Sequence, residues 1–483
     1  MSSTFAGTAA AQTSGNADTR LRLDQSLDNQ NAEVERQLLK DADDLDGVPS
    51  TIEIDGKTYA VANMVSDVGE ALYVAVARRQ WPDVRRFLQA YLAFEDRDLM
   101  LVAYARGALA RTAGKLTEAE RQYRTLLGLQ PDFVPGQLEL ARALFENHKD
   151  REARHLFEAA RAALLNEGDK ATGVLRTIDS FTQALAKRRG WQGSIALGPG
   201  YSSNLNQSSA SYTCLLAGED GTCLIDRKVP DPIQATGINF ESSISRRIPL
   251  RGHSGINERV LFYGDIYPDH GRYSQTTLTT QLGYDYRTAR TSFTLSPSFD
   301  IGSLGPDILY DAVGIRAETM VNPSATTAVR IELSRRWFNY RLPSYQDHDG
   351  ALTEALLTGW KVLPHGWTVF AGPDFTAKEA DDPVNAYRQY GLRLGVNKQF
   401  GQAVNLLAFA SLRQRDYRAY SELLEAKRRD REQNYVANVR FLALRFAGLT
   451  PSLLVQHSRV SSTVDWLYSY RKTSLAVRMD YAF

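Results

Sequence analysis

The C-terminal stretch Ser474-Leu-Ala-Val-Arg-Met-Asp-Tyr-Ala-Phe483 decides how the second half of the chain folds. Leu475, Val477, Met479, Tyr481 and Phe483 occupy every second position, and Ala476, Arg478, Asp480 and Ala482 fall between them. A strand points successive side chains to opposite faces, so this segment is apolar on one side and small or polar on the other. As the last segment of the sequence, it reads as the strand that closes a barrel and removes its free sheet edge. A half-buried strand of a soluble β domain would show the same alternation, so the rest of the chain has to choose between them.

Working back from Phe483, the chain reads as almost pure β as far as Trp191. About fourteen segments have strand length and composition. They are 191–201, 234–247, 257–268, 272–287, 291–301, 310–320, 326–338, 350–362, 366–377, 386–399, 404–416, 434–447, 450–460 and 472–483. In one of them Phe293, Leu295, Pro297 and Phe299 alternate with Ser and Thr. The links between segments sort by parity. Arg251-Gly-His253, Thr288-Ala-Arg290, Asn322-Pro-Ser324, Leu363-Pro-His365, Gly401-Gln402 and Gly448-Leu449 are tight. The intervening links 202–233, 302–309, 339–349, 378–385, 417–433 and 461–471 are longer, and Asp269-His-Gly271 alone is short. Short turns at one end and long loops at the other mark transmembrane barrels of the outer membrane, and a soluble sandwich has no reason to sort its loops this way. An even strand count returns both ends of the barrel to the short-turn side, the periplasm. The lipid-facing run Val329, Ile331, Leu333 and Trp337 is interrupted by Arg335, which near the outer rim snorkels beside an interfacial Trp337.

Composition agrees with this reading. The chain has 57 basic and 56 acidic residues, which gives no support for nucleic-acid binding. It has no apolar run long enough for a transmembrane helix, and its mean hydropathy is −0.35. A barrel with a polar lumen keeps its average hydropathy low in just this way. The two cysteines, Cys214 and Cys223, fall in the first long outer link. They read as a disulfide-closed loop in an oxidising compartment, two free thiols being the alternative, and no His or further Cys stands near to complete a metal site.

The first half changes period. Met1–Gln12 resembles the cleavage end of a secretory signal without its charged and apolar parts, hence a trimmed signal or a disordered tail. Leu21, Leu23, Leu27, Val34, Leu38 and Leu39 allow an amphipathic helix within a flexible N-terminal segment that ends in the acidic run Asp41–Asp46. Thr51–Val61 reads as a small hairpin turned at Asp55-Gly56. From residue 66 to 189, Ala is abundant and apolar residues recur at helical spacing. A 34-residue repeat relates Gly107, Ala119 and Tyr123 to Ala141, Ala153 and Phe157, with Pro131 ending the first unit. An earlier, degenerate unit spans Val68–Glu95 and breaks at Trp81-Pro82. Small residues where two helices cross, an aromatic that packs into the next unit and a Pro where the second helix stops together resemble the tetratricopeptide repeat. An ordinary helical bundle is the plainer alternative. Stacked repeats form a concave peptide-binding groove, and repeat geometry would put Tyr104, Arg111, Leu138, Arg142 and Phe145 along it. The expected organisation is 1–65 as signal remnant, flexible segment and hairpin, 66–189 as periplasmic helical repeats, and 190–483 as an antiparallel outer-membrane barrel.

No constellation of catalytic or cofactor-binding spacing appears. Asp269-His270, Asp347-His348 and Asp381-Asp382 all fall on outer links. Outer-membrane proteases resembling the omptins use such pairs to activate water, but the rest of that pattern is missing and solvated turn residues are the favoured account. The charged link 417–433 holds Glu422, Glu425, Lys427, Arg428, Arg429, Asp430 and Arg431, and could form a short helix that meets lipopolysaccharide phosphates.

Periplasmic repeats followed by a barrel of about fourteen strands resemble the Slam family, the surface lipoprotein assembly modulators of Gram-negative bacteria. The resemblance runs from about residue 66 to Phe483 and includes the first strand, Trp191–Tyr201, followed by Ser202-Ser-Asn-Leu-Asn206. The closing strand departs from the usual pattern, with Arg478 where a Gly is commonly found. The resemblance implies no enzyme and no cofactor. It implies delivery of client surface lipoproteins or secreted proteins across the outer membrane, with lipids, lipopolysaccharide and the barrel assembly machinery as further partners. The sequence leaves two routes open, the lumen and the seam between first and last strands, and the seam is the one favoured. An exopolysaccharide exporter with many more repeats and a diffusion porin are the alternatives.

Overall fold

The computed structural model describes residues 6–39, 64–165, 171–217 and 222–483, with backbone alone for 6–15. The acidic run and the hairpin expected between 41 and 61 lie outside the described residues. Fourteen strands form one closed antiparallel barrel. They are β1 Trp191–Ser202, β4 Ala235–Pro249, β5 Ser254–Ile266, β6 Gln275–Arg287, β7 Thr291–Leu304, β8 Asp307–Ser324, β9 Thr327–Tyr340, β10 Gly350–Val362, β11 Trp367–Lys378, β12 Tyr387–Phe400, β13 Val404–Tyr417, β14 Arg429–Phe441, β15 Leu449–Ser462 and β16 Tyr470–Ala482. The remaining pair, β2 Tyr212–Ala217 and β3 Cys223–Lys228, makes a hairpin in the first outer loop. Cys214 and Cys223 are disulfide-bonded within it.

The closing strand behaves as its alternation demands. In β16 Leu475, Val477, Met479 and Tyr481 are 41–58% exposed on the outer wall, whereas Ala476, Arg478 and Asp480 are buried in the lumen. β1 pairs β16 from Ser194↔Ala482 to Leu197↔Met479 and again from Gly200↔Ala476 to Ser202↔Ser474. Between them lie Gly198 and Pro199. A Cβ at Gly198 would collide with the Val477 carbonyl oxygen, and Pro199 has no N–H to give. The backbone of Phe483 exchanges hydrogen bonds with Gly193, at 3.0 and 3.1 Å.

Four links differ most from expectation, and the first of them, expected to be short at Asp269-His-Gly271, spans 267–274 because Pro268–Tyr273 forms a 3-10 turn, so it joins the long outer links. The link 302–309 shrinks to the two-residue turn Gly305-Pro306, where Gly305 takes φ 62° and the flanking strands extend into the expected loop. The tight turn at Gly448-Leu449 lengthens to Leu442–Gly448, because the apolar run Leu442–Leu444 forms a single helical turn and not the end of a strand. Residues 418–428 form no helix; a bridge between Ser421 and Ala426 closes them as a turn.

The helical half contains the antiparallel pairs α2 Val65–Ala77 with α3 Trp81–Tyr91, α4 Leu99–Thr112 with α5 Leu116–Leu129, and α6 Val134–Glu146 with α7 Asp150–Leu164, followed by α8 Thr172–Arg189. Asp98 caps α4 by accepting a hydrogen bond from Met100 N at 2.7 Å. The repeat residues do the packing. Ala119, Tyr123, Ala141, Ala153 and Phe157 are fully buried, and a Cβ on Gly107 would stand 2.6 Å from the Tyr123 ring. Phe157 stacks on Phe181 of α8 at 4.9 Å. α5 ends at Leu129, just before Pro131. A further helix, α1 Ala6–Leu39, does not belong to the repeats: it lies inside the barrel and leaves it toward α8.

Candidate functional site

The five residues expected along the repeat groove divide. Tyr104 is half-buried among Tyr73, Tyr123 and Phe133, at 6.2–6.5 Å between rings. Arg111 pairs with Glu139 at 3.2 Å and Glu146 at 3.1 Å, and Arg142 pairs with Glu146 at 3.3 Å. Leu138 and Phe145, by contrast, lie in the core. Their spacing explains the correction: Leu138, Ala141 and Phe145 stand at i, i+3 and i+7, hence on one face of α6, and that face packs inward. Tyr104, Arg111 and Arg142 remain on the polar rim of α4 and α6.

Phe145 also begins the junction with the barrel. The Arg188 guanidinium lies 3.9 Å above its ring. Arg188 pairs with Asp150 at 2.8 Å and Glu35 at 2.6 Å. Burial opposes its charge, but these two carboxylates outweigh burial and raise its pKa. Asp150 in turn accepts from Arg247 of β4 at 3.2 Å, and Arg247 binds Asp285 of β6. Gly252 N in the β4–β5 turn donates to Glu152 at 2.7 Å. Beside them burial, then the charges of Arg188, Arg287 and Arg247, hold His148 well below its ordinary pKa. One side chain therefore ties α1, α7 and α8 together, one contact away from the barrel wall.

Within the barrel, α1 meets the wall on every side. Asp18 accepts from Arg413 of β13 at 2.7 Å and from Ser411 at 2.9 Å. Arg20 reaches Glu354 of β10 at 3.3 Å, and Arg22 donates two hydrogen bonds to the Glu241 carboxylate of β4. Asp24 binds Arg259 of β5, and Asp28 takes Arg330 of β9 at 2.6 Å. Leu21 packs on Phe370, Phe409 and Val436, and Leu23 packs on Leu261 and Tyr263. Partners on five strands around the circumference mean a centred helix. Asp18 sits near the outer ends of the strands and Asp28 near the inner ones, so α1 runs from the cell-surface side down to the periplasm. At 1.5 Å per residue, its 34 residues give a rod about 51 Å long, longer than the apolar band of about 25 Å. Most of these charges are doubly paired. Glu354 also binds Arg336 at 2.7 Å, Glu241 binds Arg478 at 2.6 Å, and Arg413 binds Asp374 at 3.1 Å. Arg478, the residue that departs from the usual closing strand, is thus a wall partner of the carboxylate that holds α1.

At the outer mouth the three Asp and His pairs meet incompletely. Asp347-His348 and Asp381-Asp382 are neighbours through backbone bonds, Asp382 N to Asp347 O at 3.2 Å and Asp381 N to Asp349 O at 2.9 Å. Asp269-His270 lies on a separate turn. Among the described residues no three His, Cys, Asp or Glu stand close enough to hold a metal. His348 is buried against Tyr340 and Tyr345, and burial, with Lys378, pushes its pKa down to about 4. Arg335 lies on the outer wall with its guanidinium on Thr353 and Glu379, at 3.1 Å each, and Trp337 is exposed beside it.

Family models match the two halves separately. Residues 56–157 match the N-terminal repeats of the surface lipoprotein assembly modifier, and residues 191–483 match the surface lipoprotein assembly modifier proper. The chain belongs to the surface lipoprotein assembly modifier family. A relative from Acinetobacter baumannii, the hemophilin secretion modulator, is 36% identical over 96% of both chains. The surface lipoprotein assembly modifier 2 of Haemophilus influenzae is 25% identical over 83% of this chain and 81% of its own. The surface lipoprotein assembly modifier 1 of Neisseria meningitidis serogroup B is 24% identical over 89% and 86%. The modifier fold here is an outer-membrane barrel with its repeats on the periplasmic side.

Sequence reading missed the luminal role of α1 in this modifier. Its apolar residues were visible, but Asp18, Arg20, Arg22, Asp24 and Asp28 drew no reading of their own. The available signal was on the other side of each pair. Lumen-facing strand positions carry the partners Glu241, Arg259, Arg330, Glu354 and Arg413.

Proposed function

We propose that this protein delivers client proteins, mainly surface lipoproteins, across the outer membrane to the cell surface. The observation that carries the reading is the family match to both halves, repeats and barrel, in one chain. The names of its relatives supply the client classes, surface lipoproteins for most and hemophilin for the A. baumannii protein. Under this reading the polar rim of α4 and α6, with Tyr104, Arg111 and Arg142, receives the client in the periplasm. The outer loops and the exposed apolar wall meet lipopolysaccharide and lipid, and the barrel assembly machinery inserts β16 against β1. The protein performs no chemistry and needs no cofactor. An open diffusion pore fits less well, because α1 fills the lumen.

Co-expression with candidate clients tests this. Surface exposure of the client, scored by protease access on intact cells, should fall at least tenfold when residues 66–188 are removed and the barrel is still inserted. Equal exposure with and without the whole protein would overturn the reading.

A further inference from the structure

Two features of α1 are out of keeping with a permanent core element. Its contacts to the barrel are mostly ionic, and its grip on the helical half is confined to its last turns, the Glu35 to Arg188 pair and the packing of Leu38 and Leu39 on the repeat core. A helix meant only to fill a barrel would do so more stably with apolar contacts, because burying paired charges costs desolvation that the pairing barely offsets. Charged pairs are instead suited to a contact that breaks into water. If α1 leaves, most of the wall charges keep a partner: Glu354 keeps Arg336, Glu241 keeps Arg478 and Arg413 keeps Asp374. The lumen thus tolerates either state.

One place does not. Arg259, Arg316 and Arg330 converge on Asp24, with Arg259 in direct contact and the others at 3.9 and 4.0 Å. Glu318 and Glu332 serve Arg316 and Arg330. Among the described residues, Asp24 is the carboxylate paired with Arg259. Losing α1 therefore leaves a local excess of positive charge halfway along the lumen, beside a cavity of about 300 Å³ that opens along α1 toward Glu35 and Arg188.

We propose that α1 is a displaceable plug seated in the site that a crossing segment of the client occupies. The wall it vacates is one helix wide and lined by paired charges, with the Arg259, Arg316 and Arg330 cluster as its unmatched position. It fits a single polypeptide segment carrying a carboxylate at that level. Arg188 is the latch: it holds the lower end of α1 to α7 and, through Phe145, to α6, one of the two helices whose rim meets the client, so movement at the repeats is transmitted to the plug. This rests on the client-delivery reading above and assigns its route to the lumen.

The test locks the plug. Asp18 Oδ2 and Ser411 Oγ lie 2.9 Å apart, so D18C/S411C in a C214S/C223S background brings two thiols close enough to bridge α1 to β13, by direct oxidation or through a short reducible dithiol linker, with the bridge verified by gel mobility. The oxidised protein should lose client exposure at least tenfold, and reductant should restore it. Undiminished exposure by the fully cross-linked protein overturns the plug. Client exposure that is the same with the native protein as without it overturns the delivery reading, whatever the cross-linked variant does. Planar-bilayer conductance gives a second readout that needs no client. D24R should place a fourth cation among three arginines and raise single-channel conductance at least tenfold over the closed native protein. A variant that inserts normally and stays closed also counts against a displaceable α1.

Discussion

At the scale of single residues, two positions carry consequences that can be measured. Gly107 has no room for a methyl group, since a Cβ would press on the Tyr123 ring at 2.6 Å. Tyr123 cannot retreat, because it is fully buried and its hydroxyl bonds Glu139 at 3.2 Å. Gly107→Ala should therefore destabilise the repeats by about 1–3 kcal/mol despite the better helix propensity of Ala. Loss of amide protection in α4 and α5, with the barrel amides unchanged, is the expected result. His348 gives a pH dependence. Its folded pKa is about 4 against an ordinary 6.5, so between those values the opened outer turn binds more protons than the closed one. The stabilisation is complete above pH 6.5 and drains away as the pH falls toward 4, by about 3 kcal/mol at most. Exchange at residues 343–349, corrected for intrinsic rates, should accelerate between pH 7.5 and 4.5, and His348→Gln should flatten that change.

At the scale of elements, the Arg188 clasp is the joint to break. Its guanidinium serves Glu35, Asp150, the Phe145 carbonyl at 3.1 Å and the Phe145 ring. Arg188→Gln keeps the helix and removes the charge. It should cost about 1.5–3 kcal/mol per charged hydrogen bond lost, felt mainly at the end of α1. Faster exchange at residues 30–39, with α2–α5 unaffected, is the outcome that fits a joint; uniform loosening of the repeats would mark a general core residue instead. The elements also differ in how plainly the sequence announced them. The strands were legible because lipid outside and polar lumen inside impose a strict two-residue period, as in Leu475 to Tyr481. The repeat helices were legible through Gly107 and Tyr123, a pair with one packing solution. The α6 groove face was misread because repeat geometry was applied to residues whose own spacing already placed them in the core. α1 was legible as a helix and not as a plug, since its sequence does not record that its luminal charges, Asp18 to Asp28, each face an opposite one some hundreds of residues away. The Gly305-Pro306 turn and the Leu442–Leu444 helical turn were missed for a local reason: strand ends at the membrane rim carry the same residues as the turns.

At the scale of the whole molecule, the two possible routes through the membrane differ in what their opening exposes. Parting β1 from β16 would strip seven paired positions of their hydrogen bonds at the edge of the hydrocarbon, where no water replaces them. The gap at Gly198-Pro199 spares only two positions from that cost. Moving α1 exposes charges to a lumen that water can enter, and nearly all of them retain a second partner on the wall. The energetic comparison favours the lumen, against the seam that the sequence alone had favoured. It yields a prediction complementary to the plug lock. Leu197 and Met479 face each other across the closing pair with side chains on the outer wall, so L197C/M479C staples the seam without entering the lumen. In the C214S/C223S background, the stapled protein should display its client within twofold of its reduced form. A tenfold loss on oxidation, reversed by reductant, would instead make the last strand one lip of the route and leave α1 as a fixed core.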